Sequence, residues 1–272
     1  MEKRHLELLD KINGINDPQM KISCRVSDRT TVVSIIKEAQ VILFPGYYTY
    51  NNLTQEKALH MLAYDLEKEI LAAQHLSGDN SRNAFDITHD FLTTLPEIKK
   101  LLLTDIQAIY DGDPAAKSKA EVLICYPGFY AITIYRFAHV LYQLKVPFIP
   151  RIMTEYAHEK TGIDINPGAV IGDHFCIDHG TGVVIGETAV LGHHVKLYQG
   201  VTIGAKSFDL DENGNPVKSG KRHPDIGNHV VVYANATILG GNTHIGNNCV
   251  IGGNVWLMHS VADNQTVYYT EK

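Results

Sequence analysis

The chain has no excess of basic residues, no paired cysteines and no long apolar run. It carries 24 Lys and Arg against 30 Asp and Glu, a formal charge of −6. Nucleic acid and anionic membrane surfaces select a basic face, and this balance offers none. The four cysteines, Cys24, Cys125, Cys176 and Cys249, lie far apart without CxxC spacing. That excludes a zinc knuckle and argues against a disulfide framework, so reduced, mostly buried thiols in a cytoplasmic protein are expected. The first residues, MEKRHLELLDKING, are charged and contain no apolar signal core. No stretch is long and apolar enough to span a bilayer. P-loop, GxGxxG, HExxH and GxSxG motifs are absent as well.

What is present is a 272-residue chain, 44% hydrophobic and 20% charged, with room for a substantial core. It has two periods. Residues 1–160 read as helical. One helix starts after Thr54, a good N-cap, and another is expected to start at Pro96 and stop before Pro114. An apolar helix follows from Gly128, and a further one ends at Gly162. The stretch from Cys24 to Phe44 is read as helical despite its β-branched run.

After Gly162 an aliphatic residue recurs every six positions: Ile165, Ile171 and Ile177, then Ile185, Leu191, Leu197 and Ile203. A second series runs Ile226, Val232, Ile238, then Ile245, Ile251 and Leu257. A fixed hexad is the signature of a parallel β-helix, three hexads to a coil, and about five coils fit here. The fold class is therefore α+β, an N-terminal helical domain (1–160) followed by a β-helix (161–260) and a short tail (261–272). The rhythm breaks twice. Ile177 to Ile185 takes eight residues, with the two additional ones in DHGTGV, and a polar excursion fills 205–225. Breaks in a solenoid are where function concentrates.

His179 lies in the first break, and its ordinary pKa near neutrality suits a general base. Asp164 precedes it by 15 positions, nearly one coil, so stacking could bring that carboxylate to the imidazole. Asp178 is adjacent, and at a bulged corner both could reach one cleft. Arg222 and His223 end the long excursion, and an Arg can hold a carboxylate. The 14 histidines also invite a γ-type carbonic anhydrase, with His174 and His179 as ligands. No third histidine stands in the right place upstream, and no metal is expected.

The block DINPGAVIGDHFCIDHGTGVVIGETAVLGHHVKLYQGVTIGA resembles the serine acetyltransferases, as do DIQAIYDGDPAA, YPGFYAITIYRFAH and KRHP. The resemblance covers about residues 100–258. It implies a left-handed β-helix of hexapeptide repeats and transfer of acetyl from acetyl-CoA to the hydroxyl of L-serine. By resemblance, His179 is the base and Asp164 its orienting acid. Asp113, Asp178, Arg222 and His223 form the serine site, with Glu187 supporting His223. Gly204, Ala205 and Ala234 meet the pantetheine arm. The resemblance further implies a homotrimer or a dimer of trimers, an active site between neighbouring β-helices, and L-cysteine as a feedback inhibitor. The chain departs from the family at Asn166, where His is usual, at Tyr233, and in its longer, acidic loop. It lacks the usual C-terminal tail, which argues against a complex with O-acetylserine sulfhydrylase. An acetyltransferase for another small hydroxyl acceptor is the alternative within the same chemistry.

Overall fold

The structure, a computed structural model, describes residues 2–15, 27–207, 210–217 and 220–269. Seven helices come first among them: α1 (Glu2–Asn13), α2 (Arg29–Leu43), α3 (Gln55–Ser77), α4 (Ala84–Gly112), α5 (Lys119–Cys125), α6 (Pro127–Gln143) and α7 (Ile149–Thr161). Thr54 caps α3, its hydroxyl accepting from the Lys57 N–H. Gly162 ends α7 in the left-handed conformation. The helix expected from Cys24 begins at Arg29 behind an Asp28 cap, and residues 24–26 lie outside the described residues. None of the helices among the described residues is long and apolar enough to cross a membrane.

One boundary differs from expectation by more than a turn. α4 begins at Ala84, capped by the Asn83 side chain, and runs straight through Pro96. Proline removes one ladder hydrogen bond inside a helix. Phe91 and Leu95 before it and Ile98 and Leu102 after it are all buried on one stripe. Packing on both sides of the proline keeps the helix continuous.

Five coils follow. The first holds β1 (Asp164–Ile165), β2 (Val170–Ile171) and β3 (Cys176–Ile177), and the second β4 (Val184–Ile185), β5 (Val190–Leu191) and β6 (Lys196–Leu197). The third has β7 (Thr202–Gly204), β8 (Asp225–Ile226) and β9 (Val231–Val232), and the fourth β10 (Thr237–Leu239), β11 (His244–Ile245) and β12 (Val250–Ile251). The last has β13 (Trp256–Leu257) and β14 (Thr266–Val267), so it extends past residue 260 into the expected tail. The strands stack as three parallel faces of a left-handed β-helix: β1-β4-β7-β10-β13, β2-β5-β8-β11 and β3-β6-β9-β12-β14. Each strand turns one aliphatic residue inward. Ile165, Ile185, Ile203, Ile238 and Leu257 make one such buried column.

The helical part and the coils share one apolar core, joined by an ion pair. Arg136 on α6 donates from Nε and Nη2 to the Asp105 carboxylate on α4 at 2.7 and 2.9 Å. The same guanidinium reaches the Ile171 and Gly172 carbonyls, and Asp105 accepts from the Phe175 N–H. Both side chains are buried, so α4, α6 and the first coil are fixed to one another near the candidate site.

Candidate active site

The strand registers identify the two additional residues of the first break. Cys176 pairs with Lys196 and Ile177 with Leu197 below it, whereas Val184 pairs with Thr202 beyond it. Asp178 therefore matches Tyr198, and Thr181, which accepts from the Gly200 N–H, matches Gln199. His179 and Gly180 have no counterpart in the next coil. The bulge is seated by Gly180, with φ +94°, where a Cβ would lie 2.5 Å from Ile163 Cδ1. His179 itself sits at φ 57°, the left-handed region, and its side chain is 74% exposed. The irregular step thus lifts one imidazole off the regular surface.

One carboxylate stands by that ring, and a second lies on the same side of the molecule. The Asp178 Oδ1 is 3.9 Å from His179 Nε2, and Asp178 is mostly covered. Asp113 comes from the other half of the chain, as the C-cap of α4. Its carboxylate accepts from the Tyr126 hydroxyl at 2.6 Å and from the Ala115 N–H at 2.8 Å. The Tyr126 bond, with the Ala115 N–H, holds the Asp113 carboxyl below its ordinary range and pushes the Tyr126 phenol up to about 12. Lys196 closes the group, with Nζ 3.1 Å from Asp178 Oδ2 and donating to the Gly112 carbonyl at 2.7 Å. The N-terminus of α6 approaches closely enough that a Cβ on Gly128 would lie 3.2 Å from the Ile177 carbonyl carbon.

Asp164 is placed differently. Among the described residues, the only carboxylate within 4 Å of the His179 ring is that of Asp178. A carboxylate oxygen of Asp164 instead lies within 4.8 Å of a Glu155 carboxylate oxygen and a ring nitrogen of His158 on α7. Asp164 opens the first coil, one rung below Val184, but the ring that precedes Val184 is swung outward on its bulge.

Arg222, His223 and Glu187 gather at a different corner, between the first and second faces. His223 lies flat over Gly186 and is 7% exposed. Its Nδ1 accepts from the Thr188 N–H at 3.1 Å and faces the Thr188 hydroxyl at 2.8 Å. Accepting at Nδ1 leaves the proton on Nε2. Burial, aided by the Arg222 charge, pushes this imidazole down to about 4, so it is neutral at pH 7. Glu187 accepts from Arg222 Nη2 and, at 3.0 Å, from the Tyr142 hydroxyl. Burial works against its ionisation, but those two donors keep the carboxyl below its usual range. The side chain that bonds His223 directly is therefore Thr188, while Glu187 steadies Arg222.

The residues expected to meet acetyl-CoA divide in the same way. Gly204 and Ala205 end the first face at the Glu187 corner. Ala234 lies on the His179 corner, two coils along, beside Tyr233, which stacks on Tyr198 at 5.0 Å. A face about six residues wide separates the corners, on the order of 15–20 Å at strand spacing. One protomer therefore carries two half-sites that one amino acid cannot bridge.

His174 stands at the third corner, between the second and third faces. It stacks on His194 at 4.0 Å, and His194 on His229 at 4.6 Å. Among the described residues, the His/Asp/Glu groups that could hold an ion are Asp173–His174–His194 and Glu155–His158–Asp164. His179 belongs to neither, so the γ-type ligand set is not assembled within the protomer.

Sequence reasoning passed over Tyr126, Tyr142, Thr188 and Lys196. Lys196 carried a faint signal, a charged residue on a strand directly after the His-His corner. Tyr126 and Tyr142 depend on helix placement, which the repeat does not encode.

Known proteins align with this chain in sequence and in fold. The model described as serine acetyltransferase, N-terminal, matches residues 42–134. A plasmid serine acetyltransferase of Synechococcus elongatus is 51% identical over 252 residues, covering 86% of this chain and 78% of that protein. The crystal structure of Entamoeba histolytica serine acetyltransferase 1 in complex with L-cysteine aligns with TM-score 0.79 and 36% identity, over 95% of this chain and 94% of that one. Serine acetyltransferase of Brucella abortus, in complex with coenzyme A, aligns with TM-score 0.57 and 26% identity, over 85% and 78%. A helical half, five hexapeptide coils and a bulged His179 next to Asp178 are thus found in a chain half identical to a named relative over most of both lengths: it belongs to the serine acetyltransferase family.

Proposed function

We propose that the chain transfers acetyl from acetyl-CoA to the hydroxyl of L-serine, giving O-acetylserine and CoA, with His179 as the general base. The observation that carries this reading is the inserted His179 with Asp178 and Asp113 beside it. His179 takes the hydroxyl proton as the serine oxygen attacks the thioester carbonyl. The tetrahedral adduct then expels the CoA thiolate, and the imidazolium returns the proton to that sulfur. Asp113 and Asp178 hold the serine ammonium. Arg222, steadied by Glu187, takes the carboxylate, and His223 donates from Nε2. Asp164 orients the imidazole once the exposed ring turns back over the coil below.

The half-sites on separate corners support a shared site, in which the His179 corner of one copy faces the Glu187 corner of the next in a homotrimer. The pantetheine arm runs in the same cleft, between Gly204 and Ala205 of one copy and Ala234 of the next. L-Cysteine, the ligand of the Entamoeba relative, has the ammonium and carboxylate of serine and competes for its pocket.

Purified protein should release CoA thiol from acetyl-CoA when L-serine is added. His179→Asn should lower kcat by about 10²–10⁴. Release indifferent to the amino acid supplied would overturn the reading. A panel with homoserine and sugars separates serine from other hydroxyl acceptors.

A further inference from the structure

The structure assigns Lys196 a positioning role: its ammonium locks the Asp178 carboxylate to the end of α4, and so assembles one ammonium pocket from two halves of the chain. The inference rests on the serine reading above and goes beyond it, since Lys196 touches no substrate in that scheme.

The geometry is specific. Lys196 is the first residue of β6, directly above Cys176 in the coil below. Its side chain is only 15% exposed, as is that of Asp178. The ammonium donates to the Gly112 carbonyl at 2.7 Å and lies 3.1 Å from Asp178 Oδ2. It also sits over the Tyr198 ring, 4.5 Å from the centroid. A lysine ammonium has three protons. Carbonyl, carboxylate and tyrosine occupy all of its directions, so it is not held open for a ligand. Burial works to lower its pKa, but the bonds to Tyr198 and Asp178 prevail and keep it charged.

The consequence lies in which atoms remain free. Asp178 gives one oxygen to Lys196 and turns Oδ1 toward His179. Gly112, whose carbonyl the lysine binds, immediately precedes Asp113. The same lysine therefore sets the distance between the two acids, one on the coil and one on α4. Without it, no cation would stand between the Asp178 carboxylate and the end of α4, where Asp113 is held by Tyr126 and the Ala115 N–H. Lys196 is the cation among the acids Asp178 and Asp113 and the phenol of Tyr126 that assemble there.

Lys196→Met tests this, with Lys196→Arg as the conservative variant. For Lys196→Met, the KM for L-serine should rise about tenfold or more, as expected for loss of a charged hydrogen bond. The kcat at saturating serine should fall by less than about threefold, since the base itself is intact. Lys196→Arg should restore part of the serine KM. A merely structural lysine would lower stability and leave the serine KM of the folded variant unchanged. Should Lys196→Met fail to fold, Lys196→Gln, which keeps a donor to the Gly112 carbonyl without the charge, decides by the same split of KM against kcat. A folded variant with unchanged serine KM overturns the inference alone. A wild-type chain that releases no CoA on serine overturns the parent reading and this one with it.

Discussion

Gly186→Ala is the smallest change that should disable the Glu187 corner. The ring of His223 lies on the bare α-carbon of Gly186, and an added Cβ would stand 2.6 Å from Cγ and nearer still to Cδ2 and Nε2. Ordinary carbon contacts are about 3.5–4.0 Å, so the ring must retreat by about 1 Å or more. It has little room, because it is buried and because Thr188 holds Nδ1 with both its N–H and its hydroxyl. Overpacking costs about 1–3 kcal/mol, and each of the two hydrogen bonds stretched adds about 1 kcal/mol, giving roughly 3–5 kcal/mol in all. At about 2–4 °C per kcal/mol, the Tm should fall by roughly 6–20 °C. A 1 Å displacement in a site costs about 10²-fold in rate, so kcat/KM for L-serine should fall by about that factor at a temperature where the variant is folded. The assay is CoA thiol release followed with a chromogenic disulfide, alongside thermal unfolding. Gly192→Ala is the control: it crowds the Gly227 carbonyl carbon at 3.0 Å on the corner between the second and third faces, remote from the proposed chemistry. It should lose stability and keep its kcat/KM. Wild-type kcat/KM in folded Gly186→Ala would refute the assignment of the His223 ring to the site.

Stability should depend on pH through the same ring. His223 is held neutral in the fold, down to about 4, whereas an unfolded histidine protonates near 6.5. Its contribution is therefore complete above about 6.5 and is lost as the pH falls from there toward the folded value. Tm measured from pH 7 to 5 should decline in the wild type and decline less in His223→Gln; identical slopes would count against it. Arg136→Met leaves the Asp105 carboxylate buried and unpaired, and denaturant unfolding should show a loss of about 3–5 kcal/mol. Asp105→Leu combined with Arg136→Met should recover most of it. Cys125 is exposed, while burial pushes the thiol of Cys176 up to about 12. Mass mapping after brief alkylation should find Cys125 modified and Cys176 untouched until the chain unfolds.

The coils were legible because a six-residue period leaves few alternatives. One aliphatic residue per short strand cannot be buried by an ordinary amphipathic sheet, and every predicted inward position from Ile165 to Leu257 is buried. The break at His179 was legible for the same reason, since only a regular repeat makes an eight-residue step visible. What escaped was whatever depends on one element meeting another. Pro96 read as a helix start because proline favours a first turn, yet apolar residues on both sides hold it in the middle of α4. Asp164 read as the partner of His179 from a spacing close to one coil, but spacing along a solenoid does not fix where an inserted residue points. Lys196 reaches the Gly112 carbonyl, and Tyr126 reaches Asp113, only because α4 and α6 pack where they do, and nothing in the hexad announces those contacts.

The division of the site between two corners has a genetic consequence. A subunit with Ala at His179 still has an intact Glu187 corner, and one with Ala at Arg222 still has an intact His179 corner. Each alone should be inactive. Unfolded together and refolded at equal concentration, they should form mixed rings in which roughly one cleft in four receives its good half from each parent. Two dead proteins would then yield a partly living one, with about a quarter of the wild-type activity recovered if each cleft is built from two copies.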